Sequence, residues 1–207
     1  MNSNRICLIA VLMALSATAG ATILTFEDLQ NVGPGHGEYG GEYGLINTDN
    51  AGYGGFQWGE WAGWVYKPLS GWGFPNIIVG DLAFFNHSAR DVSMSLPSGF
   101  HLESMVLGAG RWPAGVNVTF EGQRGGATVA QQTATALYYA PTTVVFSGFQ
   151  DIDTLWISSG GEDSHEFCID NITFERGGSA VPEPASCALL ALAIGGIGVT
   201  LKRRRSK

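Results

Sequence analysis

The side chains best suited to bond-making chemistry are scattered along this 207-residue chain. His36, His87, His101 and His165 show neither His-x-x-x-His spacing nor the Cys/His clustering of a zinc site. Ser164-His165-Glu166 places suggestive types side by side. Neighbours on a strand point to opposite faces, however, whereas a nucleophile and its base must converge. No Gly-x-Ser-x-Gly occurs, and the glycines of residues 33–37 and 52–55 follow no strand–helix unit that would make them a phosphate loop. The carboxylate pairs Asp151/Asp153 and Glu162/Asp163 read as solvated turn residues rather than a glycosidase pair. The chain reads as non-enzymatic.

One cluster rises above this background. Tyr53, Phe56, Trp58, Trp61, Trp64, Tyr66, Trp72 and Phe74 follow one another among glycines, and four of the six tryptophans fall within fifteen residues. An indole face stacks on the C–H face of a sugar ring, and Asp49, Asn50, Gln57 and Glu60 can exchange hydrogen bonds with sugar hydroxyls. Trp58 is expected in the core. Trp61, Trp64 and Trp72 are the candidates for a glycan-stacking platform, and plain core packing is the competing reading.

The elements that must position these residues are strands. In residues 116–121 Val116, Val118 and Phe120 alternate with polar residues and share one face. The same period recurs in residues 92–96, just before Pro97-Ser98-Gly99. Further strands are expected at 23–26, 77–85, 102–107, 128–135, 142–146, 155–158 and 167–175. No helical period persists between the two chain ends. Many short strands at about ten-residue spacing predict an all-β jelly-roll sandwich. The Gly-rich residues 33–63 read as a surface excursion holding short strands.

The ends carry a different kind of information. Arg5, the apolar residues 6–15 and the small residues up to Ala19 and Ala21 have the order of a secretory signal peptide, residues 1–21, removed by signal peptidase. The apolar run is too short to span a bilayer of roughly 30 Å. At the other end Pro182-Glu183-Pro184 precedes the uncharged residues 185–201, long enough for a transmembrane helix. The basic cluster Lys202, Arg203, Arg204 and Arg205, within the tail 202–207, then holds that end in the cytoplasm. Motif, span and Arg-rich end, together residues 181–207, resemble the PEP-CTERM sorting signal of Gram-negative bacteria that make extracellular polysaccharide. The resemblance implies processing by an exosortase-type transpeptidase. It also implies an inner-membrane-anchored precursor with its body in the periplasm, later released to the cell surface or extracellular matrix.

Between the ends, residues 22–176 form the expected β-sandwich domain, joined to the tail by the linker 177–180. Residues 22–180 hold five basic against seventeen acidic side chains, a net charge of −12. Such a body has no footprint for nucleic acid, whose binding rests on phosphate neutralisation. Cys7 lies in the signal and Cys187 in the tail, so Cys168 stands alone and no disulfide can form within the body. Cys168 is expected to be an ordinary buried thiol.

The body also resembles a bacterial family of small carbohydrate-binding-module-like jelly rolls often carried by PEP-CTERM proteins. The resemblance rests on Leu24-Thr25-Phe26-Glu27-Asp28-Leu29, Tyr53-Gly54-Gly55-Phe56-Gln57-Trp58, residues 116–122 and residues 167–174. It implies first and last strands lying close together. Glu27 and Asp170 would then stand near enough to share a structural calcium with backbone carbonyls. No other cofactor is expected. The resulting expectation is an exported, non-enzymatic surface or matrix protein that interacts with polysaccharide. The alternatives are a structural or adhesive matrix protein without a sugar ligand, and a glycan-active hydrolase.

Overall fold

The structure, a computed structural model, describes residues 20–33, 35–37, 42–67, 79–109, 115–138, 140–160 and 165–177. Eleven strands among them build the expected all-β sandwich. They are β1 (Thr22–Leu24), β2 (Tyr43–Leu45), β3 (Gln57–Trp58), β4 (Ala62–Tyr66), β5 (Leu82–Asn86) and β6 (Val92–Ala109). β7 (Val116–Arg124), β8 (Ala127–Ala136), β9 (Thr142–Val145), β10 (Ile152–Ser158) and β11 (Phe167–Arg176) complete the set. Among the described residues helix is confined to single turns such as Ile46–Asp49 and Tyr53–Gly55. The expected signal and transmembrane helices fall outside the described residues, and none of the described helices is long and apolar enough to cross a membrane.

All named strand pairs are antiparallel. Their order is β2-β4-β5-β11-β6-β10-β7-β8, with β1 added to β11 and both β3 and β9 added to β6. The β1–β11 pairing, Leu24 opposite Ile172, brings the first and last strands together as the resemblance implied. β6 is the spine. Its first residues pair with β3 and β10, and from Phe100 onward it pairs with β11. Pro97-Ser98-Gly99 was expected to separate two strands. Instead a single strand runs through, and its partners change where exposed Pro97 and Ser98 interrupt the ladder. Strands that change partner sheets do so at such interruptions.

Alternation delivers the core as expected. Val116, Val118 and Phe120 are buried on β7 while Asn117 is exposed. The aromatic centre lies at Phe56, whose ring stands 4.9 Å from Phe174 and 5.1 Å from Phe100. Trp58 and Phe84 extend it, with centroids 5.5 Å apart. A second group joins Phe120, Phe146 and Phe149 in edge-on contacts. Residues 33–63 do hold β2 and β3, but they are no surface excursion: Ile46, Phe56, Trp58 and Ala62 from this stretch are core residues. Burying those aromatics stabilises the fold by about 2 kcal/mol each, more than surface loops contribute.

Candidate functional site

The outer face of β8-β7-β10-β6 carries the most distinctive side-chain arrangement. Leu155 and Ile157 point into the core, so Trp156 between them points out and is 43% exposed. Cross-strand register sets its neighbours. Trp156 stands opposite Glu121 on β7 and Ser93 on β6, and Glu121 in turn stands opposite Gln131 on β8. The next row places Thr154 between Gln123 and Ser95, and the row beyond pairs Ser158 with Thr119. Every one of these partners has a hydroxyl, amide or carboxylate. A single indole thus sits in a polar field whose strands are about 4.8 Å apart.

Glu121 is held in place. Its Oε1 accepts from Gln123 Nε2 and from Thr128 Oγ1, both at 2.7 Å. The Gln123 bond first, then the Thr128 bond, keep this carboxyl below its ordinary pKa. Among the described residues neither Glu121 Oε2 nor Trp156 Nε1 takes a hydrogen-bond partner. The face therefore presents a flat apolar ring, a free N–H donor and a fixed anionic acceptor on adjacent strands. Such a set can stack on a sugar ring and exchange hydrogen bonds with its hydroxyls. Trp156 was not singled out from sequence, although the Leu155/Ile157 alternation already implied its orientation.

Of the tryptophans that were singled out, Trp61 and Trp64 lie elsewhere. Trp64 is fully buried, and its Nε1 donates to Asp49 Oδ2 at 2.9 Å, so it offers no open face for stacking. The glycines around it do not push it outward. A Cβ on Gly44 would meet the indole at 2.7 Å, so the bare backbone makes room for the ring beneath it. Trp61 is partly buried against the core; His87 stacks on it at 6.2 Å and the Arg90 guanidinium lies 5.5 Å over its ring. Trp72 is outside the described residues. Trp58 is core, as expected, and donates Nε1–H to the Tyr53 carbonyl.

Glu27 and Asp170 do converge, on the segment that enters β5. Glu27 Oε1 accepts from the N–H groups of Asp81 and Leu82 at 3.0 and 3.1 Å. Asp170 Oδ2 accepts from Val79 N–H at 2.8 Å, and its Oδ1 from Asn171 N–H at 2.7 Å. Burial, with the Glu27 charge adding to it, raises the Asp170 pKa to about 7. A calcium cradle needs carbonyl and carboxylate oxygens aimed at one point. The backbone partners here are N–H donors, so the two carboxylates anchor this segment. Cys168, one strand position before Ile169, is buried with its thiol pushed up by burial and by Asp170. His165 lies in the loop before β11, and Ser164 is outside the described residues.

Pro182, Glu183, Pro184 and the basic cluster Lys202–Arg205 also lie outside the described residues, but residues 180–205 match the PEP-CTERM protein-sorting motif. The motif implies an exported protein anchored at the membrane before processing. No curated protein sequence matches the chain. Among solved structures the chain is similar to TmCBM61 in complex with β-1,4-galactotriose, at 13% identity and a TM-score of 0.39, covering 59% of this chain and 88% of that one. It is similar to the CBM22-1-CBM22-2 tandem domain of Paenibacillus barcinonensis Xyn10C at 13% identity and a TM-score of 0.44, covering 82% and 49%. A third is the C-terminal family 22 carbohydrate binding module of Clostridium thermocellum Xyn10B, at 11% identity and a TM-score of 0.38, covering 62% and 90%.

Proposed function

We propose that this chain is an exported, surface-sorted protein whose β-sandwich, residues 22–176, binds polysaccharide through the face centred on Trp156. The observation that carries the binding reading is the exposed indole beside the fixed Glu121 carboxylate, in a field of hydroxyl and amide side chains. A large aromatic left 43% exposed costs hydrophobic free energy unless something covers it. The ligand chemistry that suits it has an apolar ring face and a rim of hydroxyls, which is a pyranose. A body with excess negative charge favours neutral glycans over acidic ones. The role is non-enzymatic: it retains or organises polysaccharide outside the cell.

The sorting half of the reading rests on the motif at residues 180–205. Signal peptidase removes residues 1–21, the tail holds the precursor in the inner membrane, and an exosortase-type transpeptidase acts near Pro182-Glu183-Pro184.

Two experiments separate the halves. Glycan-array binding of the purified protein is expected to select neutral polysaccharides, and W156A is expected to lose about tenfold in affinity, the equivalent of about 1.4 kcal/mol. Trp61→Ala and Trp64→Phe should leave binding in place. If wild type binds nothing at millimolar sugar, the polysaccharide reading fails and a purely structural matrix role takes its place. For sorting, the mass of an epitope-tagged body is compared with and without the transpeptidase. Equal masses in both strains would defeat the processing claim.

A further inference from the structure

His101 and Glu103 are two residues apart on β6, and Glu175 on β11 is the direct cross-strand partner of His101. Their ring-nitrogen and carboxylate oxygen atoms all lie within 4.8 Å of one another, and all three side chains are partly exposed. We infer that His101, Glu103 and Glu175 form a binding site for a divalent metal ion of the zinc class, on the surface seam between β6 and β11.

Alternation already places Glu103 on the same face as His101, and the register shifts just beyond it. Leu102 pairs with Phe174 while Ser104 pairs with Thr173, so Glu103 is an extra residue on β6. A bulge of this kind re-aims the side chain after it, and without it Ser104 would alternate with Glu103 across the sheet. Burial reports the same shift: Leu102 and Met105 are both core residues although three positions apart. Beneath the three ligands, Leu102, Phe100 and Phe174 are fully buried, which fixes the two strands that carry them.

The chemistry fits a borderline divalent ion. Metal–ligand bonds of about 2.0–2.2 Å to nitrogen and carboxylate oxygen place three donors within the observed span of one another. Two carboxylates and a neutral imidazole offset a double positive charge, and an imidazole selects zinc-like ions over calcium or magnesium, which prefer oxygen. Among the described residues none of these three side chains is engaged in a hydrogen bond or ion pair, so three polar groups face one another without partners. The nearest cation in sequence, Arg176, turns away to donate to the Gly54 carbonyl. Partial exposure leaves a fourth position for water. Such an ion would staple β6 to β11 in a body that cannot form a disulfide.

The test uses the full chain, chelator-treated and purified in mild detergent at neutral pH, titrated with zinc and separately with calcium. The expected result is one zinc per chain and a rise in Tm of several degrees, with no comparable rise in calcium. H101Q and E175Q should each weaken zinc binding by more than about 100-fold, while H36Q, a distant histidine, should bind as wild type. Denaturation midpoints of the metal-free variants check folding and should match wild type. Zinc binding unaltered in H101Q and E175Q, no binding at all, or an equal response to calcium would each overturn the assignment.

Discussion

The raised pKa of Asp170 makes stability depend on pH in a direction opposite to that of most carboxylates. Burial is the main cause, the nearby Glu27 charge adds to it, and the Val79 and Asn171 N–H groups and the Lys67 charge only partly offset it. The carboxyl moves from 3.8 in the unfolded chain to about 7 in the folded one. Between those values the folded state holds a proton that the unfolded state has released. Stability from this group is therefore full below about pH 4 and is lost as pH rises through 7. The slope is at most 1.36 kcal/mol per pH unit, for a total of about 4 kcal/mol. The perturbation is Asp170→Asn, which cannot titrate. Urea denaturation of wild type and variant, followed by tryptophan fluorescence from pH 4 to 8.5, isolates the Asp170 contribution as a difference. That difference should favour wild type progressively less as pH rises, then level off. In Glu27→Gln the fall should end at lower pH, because without the like charge the folded-state pKa is lower. A difference that is flat, or that grows with pH, would refute the argument that burial of the Asp170 carboxyl dominates its hydrogen bonds.

Trp64→Phe removes the 2.9 Å bond to Asp49 and leaves that carboxylate oxygen short of a donor. It should cost about 2 kcal/mol in denaturation experiments without affecting glycan binding. Cys168 should be unreactive toward an aromatic disulfide reagent in the native protein at pH 8 and react only on unfolding, since its thiol is buried and its pKa raised; fast native labelling would contradict its placement.

Much of the fold is legible in the sequence because alternation is a local signal. Val116, Val118 and Phe120 needed only each other to define one face of β7, and the sequence periods at 128–135 and 167–175 mark β8 and β11 for the same reason. Pro97 misled, because a proline that interrupts a ladder need not end the strand: β10 pairs again at Phe100, where β11 joins. The Gly-rich residues 33–63 concealed core aromatics for a related reason: glycine removes a side chain without saying which neighbour will fill the space. At Gly44 it is the indole of Trp64.

Taken alone, the sequence determined the strand-rich body, the single cysteine in it, its negative charge and the ordered sorting tail, since each is a property of composition or of adjacent residues. Only the tertiary structure decided which tryptophan meets solvent and which carboxylates converge. Trp64 and Trp156 both occupy strands; one is covered and the other is not, because coverage depends on what packs against that side of the sheet. Glu27 and Asp170, or Glu175 and the pair His101 and Glu103, are brought together by the pairing of distant segments. Register is a contest between distant segments for the same hydrogen bonds, and no local pattern records its outcome.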